Sequence, residues 1–128
     1  MKLSLRSEYA LLALISLSRS SIIQSLPEVA SAQQIPVESL AEIFSVLSRS
    51  NYLEQVEAGF RLKQSPATIS VADIIRIFDG ALAPLEPVSA KGYVLAPMDK
   101  EEKLSGLFEK IQGQILVSLE TTSIADLV

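Results

Sequence analysis

Apolar residues recur along this chain in two rhythms, and the change from one to the other marks its elements. Over 7–19, Tyr9, Leu12, Ile15 or Ser16, and Arg19 follow one face, while Ala10, Leu11, Ala13, Leu14 and Leu17 make the segment apolar almost all round. That pattern predicts a largely buried helix. Ser25-Leu26-Pro27-Glu28 opens a second helix. Serine at the N-cap with glutamate three residues on is a capping box, and proline is tolerated in a first turn, where its missing N–H has no partner to lose. Val29 and Ala30 face the core, and Gln34-Ile35-Pro36 reads as a turn with Ile35 as its buried anchor and Pro36 starting the next helix. That third helix, 37–50, places Leu40, Ile43, Phe44 and Leu47 on one face and Glu38, Ser39, Glu42, Ser45 and Arg49 on the other. Asn51 is positioned to end it, because asparagine tolerates the left-handed backbone of a helix terminus.

Beyond it the period falls to two. Tyr52-Leu53-Glu54-Gln55-Val56 and Phe60-Arg61-Leu62-Lys63 alternate on either side of Ala58-Gly59, which predicts a small hairpin. Helical spacing returns after Ser70, with Asp73 three residues on to complete a second capping box, Ile74, Ile75 and Phe78 facing inward, and Asp79-Gly80 as the stop. Residues 81–99 hold three prolines and no periodicity and read as a linker. From Lys100 to Glu120, Leu104, Phe108, Ile111, Ile115 and Leu119 step by four, three, four and four, a stripe suited to packing against another helix. No other element is left to cover that stripe. The tail, 121–127, reads as one last helical turn.

A capped helix, a tight turn, a second amphipathic helix, a small two-stranded excursion and another capped helix form the order of a winged helix-turn-helix. The fold class expected is therefore mostly α with a small β wing: a winged domain over 1–80, a linker over 81–99, and a dimerisation helix with a C-terminal turn over 100–128.

Composition complicates the picture. The chain has 128 residues, enough for one domain with a helical arm, and at 48% hydrophobic and 20% charged it is neither disordered nor fibrous. Its net charge is −4, with seven Lys/Arg against eight Asp/Glu in residues 1–80 and four against seven in 81–128. Only a local basic cluster could therefore bring it to a phosphate backbone. The absence of cysteine excludes thiolate metal sites and thiol redox chemistry. Lys2, Arg6 and the run YALLALISL resemble the start of a signal peptide, with Ala30-Ser31-Ala32 as a cleavage site. Glu8 and Arg19 bracket that run closely, however, and the cleavage site falls inside a well-capped helix. No stretch approaches the ~18 to 20 apolar residues that span a bilayer. A cytoplasmic protein without membrane association is expected.

Five motifs in order carry a resemblance over nearly the whole chain: MKLSxxxxYALxAL at the start, IPxxxLxxIFxxL in the third helix, ISVADIIR at the fourth, APLEPV in the linker and TSIADL at the end. Together they resemble the Rrf2 family of winged helix-turn-helix transcriptional regulators, which includes the iron–sulfur cluster regulator and the cysteine-metabolism repressor. The resemblance implies a homodimer joined through the long helix, with two winged domains reading successive major grooves of a palindromic operator. The departures are specific. Cluster-binding members place three cysteines in the loop that here spans Pro87–Lys100, and this chain has neither cysteine nor histidine. Glu8 stands near the position where some members use an acidic ligand, but without thiolates it cannot hold a cluster, and a carboxylate in a first turn suits the helix dipole. The wing turn, Glu57-Ala58-Gly59-Phe60, is shorter than the family's and has glutamate where an arginine for the minor groove is expected. Phe60 keeps the aromatic anchor.

The candidate DNA-contacting residues are Lys2, Ser4, Arg6, Tyr9, Ser39, Ser45, Arg49, Arg61 and Lys63, whose cations, hydroxyls and neighbouring helix N-termini suit phosphates. Glu38 and Glu42 could accept from cytosine N4 in the major groove. The same residues also describe an ordinary solvated helix face. Leu104, Leu107, Phe108, Ile111, Ile115 and Leu119 are the candidate dimer contacts. No His or Cys, no glycine-rich phosphate loop and no evident paired carboxylates support catalysis. Asp99, Glu101 and Glu102 at a helix start suit the dipole rather than a metal, so no metal, cofactor or enzymatic activity is expected. Two functions remain open. One is a dimeric, cluster-free transcriptional regulator, with repression as its mode, that binds a double-stranded operator and responds to a regulatory protein or small ligand acting on the linker. The other is a dimeric winged protein that has lost DNA affinity and acts through protein contacts.

Overall fold

A computed structural model describes residues 2–20, 23–80, 82 and 97–128. Most of the predicted linker lies outside the described residues. Among the described residues, five α-helices, α1 (Leu5–Arg19), α2 (Leu26–Gln33), α3 (Val37–Arg49), α4 (Val71–Asp79) and α5 (Glu102–Thr121), accompany one antiparallel pair, β1 (Leu53–Val56) and β2 (Gly59–Leu62). The chain is thus mostly helical with a two-stranded wing, as the periodicity predicts.

The helix boundaries follow their caps. α1 begins two residues before its apolar pattern does, because Ser4 adopts an extended backbone and its Oγ accepts a hydrogen bond from the Ser7 N–H. At α2 both halves of the capping box form between Ser25 and Glu28. The turn to α3 is tight: Gln34 takes a left-handed backbone (φ 56°), the Ile35 N–H donates to the Ala30 carbonyl at 2.9 Å, and the Ile35 side chain is buried. α3 ends at Arg49, and Asn51 supplies the predicted left-handed residue (φ 66°). Ser70 caps α4, but Asp73 does not close a second box. Its carboxylate lies instead 3.5 Å from the Arg76 guanidinium.

Within the wing, Glu54 faces Arg61 and Gln55 faces Phe60. The hairpin is not free-standing. The Phe60 N–H donates to the Gln24 carbonyl at 2.8 Å and the Gln24 N–H donates back at 3.2 Å, so the segment before α2 extends the sheet by one bridge. Gly59 makes that approach possible. Its φ is 149°, and a Cβ at this position would lie 2.4 Å from the Gln24 carbonyl oxygen.

The core gathers Ala13, Leu14, Val29, Leu40, Phe44, Leu47, Leu53 and Ile74, with the Phe44 and Phe60 rings edge to face at 4.7 Å. Ile124, in the C-terminal one-turn helix Ile124–Leu127, is fully buried in the same cluster. Two backbone bonds hold the tail there: the Val71 N–H donates to the Thr122 carbonyl and the Ile124 N–H to the Ile69 carbonyl, each at 2.9 Å. A second apolar cluster, Val71, Ala72, Ile75 and Leu82, is covered by Ile115, Leu116 and Leu119 of α5.

Candidate nucleic-acid interface

The capped α2, the Gln34–Pro36 turn and the buried stripe of α3 together fix which face of α3 points outward. Glu38, Glu42, Ser45 and Arg49 are exposed on that face, and Ser39 is half-buried at its edge. The wing stands beside it, because Leu53 is buried in the core that α3 also packs against and Phe44 touches Phe60. A recognition-type helix and a wing therefore share one side of the molecule.

Two ion pairs commit part of the charge on that side. Arg6 Nη2 donates to Glu42 Oε1 at 2.9 Å, joining the first turn of α1 to the middle of α3. The same guanidinium lies 5.4 Å from the centroid of the Phe78 ring. In the wing, Arg61 Nε donates to Glu54 Oε2 at 3.0 Å across the strand pair. Lys63 Nζ donates to the Asn51 side-chain carbonyl at 3.2 Å. Lys2 and Arg49 are exposed and make no ion pair among the described residues. Both salt bridges are solvent-exposed and so contribute little to stability. Their effect is on which cations are free to meet a phosphate.

Ser4 and Tyr9 are less available than the sequence alone implies. The Ser4 hydroxyl caps α1, and Tyr9 is half-buried against the core. The structure also brings in a residue that sequence reasoning takes only as a helix terminator. Asp79 Oδ2 accepts from the Ser4 N–H at 3.2 Å and from the Ser7 hydroxyl at 2.8 Å. Burial pushes the Asp79 carboxyl upward, but hydrogen bonds from Ser4 and Ser7 and the nearby Arg6 charge outweigh it and hold the group below the usual carboxylate range. Asp79 thereby positions the N-terminus of α1, and Arg6 with it. Its partners lie 75 and 72 positions away, so no local spacing could reveal the role. The serine at position 7, set in a mostly apolar helix, is the signal the sequence carries, and the structure buries its hydroxyl fully, where it needs a partner.

The predicted dimer stripe divides in two. Leu104, Leu107, Phe108 and Ile111 are exposed by 43, 50, 42 and 38%, a concentration of large apolar side chains on the first half of α5. Ile115 and Leu119 are partly buried within the chain, against the cluster on α4. Arg76 Nη2 donates to Glu120 Oε1 at 2.6 Å and latches that half of α5 in place. Among the described residues no helix is long and apolar enough to cross a membrane.

A profile of the Rrf2 family, described as "Iron-dependent Transcriptional regulator", matches residues 3–128. The chain is 27% identical over 131 residues to a Mycobacterium tuberculosis protein named "Putative HTH-type transcriptional regulator Rv1287", covering 98% of this chain and 80% of that one. It is 24% identical over 135 residues to the HTH-type transcriptional regulator IscR of Cereibacter sphaeroides, covering 100% and 87%. The solved structure of CymR, titled the global cysteine regulator of B. subtilis, superposes with a TM-score of 0.80 at 24% identity over 99% of this chain and 95% of that one. The donors present here do not fit an iron–sulfur group: the sequence contains neither cysteine nor histidine, and no three metal-binding side chains come together among the described residues. With a profile match that runs from the third residue to the last and a winged fold shared with solved regulators, the chain belongs to the Rrf2 family of transcriptional regulators.

Proposed function

We propose that this chain is a homodimeric, sequence-specific DNA-binding repressor that works in the cytoplasm without an iron–sulfur cluster and without enzymatic activity. The observation that carries the reading is the shared outward side of α3 and the wing, with Ser45 and Arg49 exposed on the helix next to the hairpin. In this reading α3 enters the major groove, where Glu38 and Glu42 face bases and Arg49 a phosphate. Lys2, Arg6, Arg61 and Lys63 supply the remaining phosphate contacts, with Ser4, Tyr9 and Ser39 as hydroxyl partners. The exposed half of the α5 stripe, Leu104, Leu107, Phe108 and Ile111, forms the seam between two copies, while Ile115 and Leu119 hold the helix on α4 of their own chain. Two heads joined this way would read half-sites roughly 34–36 Å apart along the duplex. Control falls to a regulatory protein or small ligand acting on the linker, because the residues for a cluster are not there.

A second reading, a winged dimer that binds protein in place of DNA, draws on one observation: carboxylates already engage Arg6 and Arg61. A salt titration of binding to DNA from the region upstream of its own coding sequence separates the two. A repressor should bind specifically, with log affinity falling against log salt at a slope of about −0.9 per phosphate neutralised. Absence of binding even at low salt would remove the DNA reading and leave the second.

A further inference from the structure

We propose that the groove between α3 and the wing is a binding site for a small aromatic carboxylate, and that filling it releases DNA. The groove has a volume of about 330 Å³, at the lower end for small-molecule sites. Its floor is apolar, formed by Leu26, Phe44 and Phe60, and the two rings meet edge to face at 4.7 Å. A third ring laid on that floor would extend the aromatic cluster.

The polar groups on the lining fix the charge of the ligand. Arg49 is the one charged residue of the lining, and it makes no ion pair among the described residues. The alternation of the hairpin turns Gln55 and Phe60 to one face and the Glu54–Arg61 pair to the other, so the wing's nearest strand carboxylate is kept off the groove. Ser48 Oγ is buried without a hydrogen-bond partner. A buried hydroxyl left so is unusual, and a carboxylate oxygen bridging Arg49 and Ser48 would supply the missing acceptor. Gln55 at the rim offers an amide to the second oxygen. An apolar body with a single anionic end is the chemistry that matches.

The consequence for DNA rests on the proposed function, whereas the binding site does not. A ligand there would neutralise Arg49 and wedge between the two elements proposed to contact the duplex.

The test uses 3-phenylpropionate, with 3-phenylpropanol as its uncharged counterpart, titrated into the ¹⁵N-labelled full chain. Saturable shifts are expected at the amides of Phe44 to Arg49 and Gln55 to Phe60, with the acid bound about tenfold more tightly than the alcohol. Arg49→Gln should erase that preference and leave the alcohol's affinity unchanged. Ala41→Leu, an exposed helical position on the groove wall, should abolish binding of both in a chain whose spectrum stays dispersed. No saturable shift at millimolar acid, or an acid preference that survives Arg49→Gln, would overturn the site. Adding the acid to a preformed DNA complex then reads the consequence, where release is expected. Localised shifts on the free chain together with a DNA complex indifferent to the acid would overturn the release step, and a chain that never binds DNA would instead fail the proposed function.

Discussion

Arg6 and Glu42, 36 positions apart in sequence, meet at 2.9 Å and tie the N-terminal turn of α1 to the outward face of α3. The pair changes what the acidic helix means. Glu42, one of the two carboxylates on the outward face of α3, is in the fold the partner of a cation from another helix. The interface is therefore closer to neutral than acidic around Arg6, and its remaining negative charge falls to Glu38 on α3 and Glu57 in the wing turn. In the proposed DNA complex the duplex would compete with Glu42 for the Arg6 guanidinium, and the ion pair would then set a threshold for binding rather than a barrier to it.

Removing the carboxylate should lower that threshold. Glu42→Gln is expected to tighten binding to a specific fragment severalfold and to steepen the salt dependence by about 0.9 in log–log slope, one more phosphate contact. Because both partners are about half exposed or more, the substitution should change folding stability by less than about 1 kcal/mol. Fluorescence anisotropy across a salt series reads the first effect and urea denaturation the second. An unchanged slope would show that Arg6 does not face a phosphate.

Much of the frame could be read from the chain alone, because its signals are local. Capping by Ser25 and Glu28, the Ile35 anchor, the alternation around Gly59 and the stop at Asn51 all lie within a few residues of what they determine. The site was less legible, and the reason is the range of its interactions. Arg6 with Glu42, and Asp79 with Ser4 and Ser7, are tertiary contacts between positions with no common period. The division of the α5 stripe has the same origin. Nothing in its spacing distinguishes Ile111, which is exposed, from Ile115, which packs on α4; only the position of α4 does.

Asp79 gives a pH-dependent test. Its folded carboxyl titrates below the ordinary aspartate value of about 3.9. A depressed acid contributes stability above its unfolded pKa and loses it as pH falls through the folded one. Asp79→Ala should therefore cost about 1–3 kcal/mol at neutral pH, since it also strands the buried Ser7 hydroxyl. The gap between variant and parent should begin to close near pH 4 and continue closing below it, as the parent loses its carboxylate. Denaturant midpoints measured from pH 7 to pH 3 check the sign. A gap that widens toward acid would exclude the ionised form as the stabilising one.

The tail should matter more than its terminal position implies. Ile124 is fully buried in the main core, whereas Leu127 three residues later is 43% exposed. Ile124→Ala is expected to cost about 2–4 kcal/mol through the cavity it leaves. Leu127→Ala should fall within about 0.5 kcal/mol of the parent. Equal effects in urea denaturation would mean that the tail does not dock in the main core in solution.

The two halves of α5 should respond differently to charge. Phe108 and Ile111 sit on the exposed half, so Phe108→Asp places its carboxylate in water if the chain is alone and in an apolar seam if two copies meet there. The expected result is a folded monomer: light scattering should report half the parent's mass, with the thermal transition of the head retained. Ile115→Asp places a charge against the Val71, Ala72, Ile75 and Leu82 cluster within the same chain. That variant should melt at lower temperature whatever its mass, because the charge disturbs packing that each protomer makes alone. Loss of the head's fold in Phe108→Asp, or a parent chain already monomeric at micromolar concentration, would move the dimer seam away from this half of the helix. A halved mass with an intact head would leave Leu104, Leu107, Phe108 and Ile111 as the surface that joins the copies.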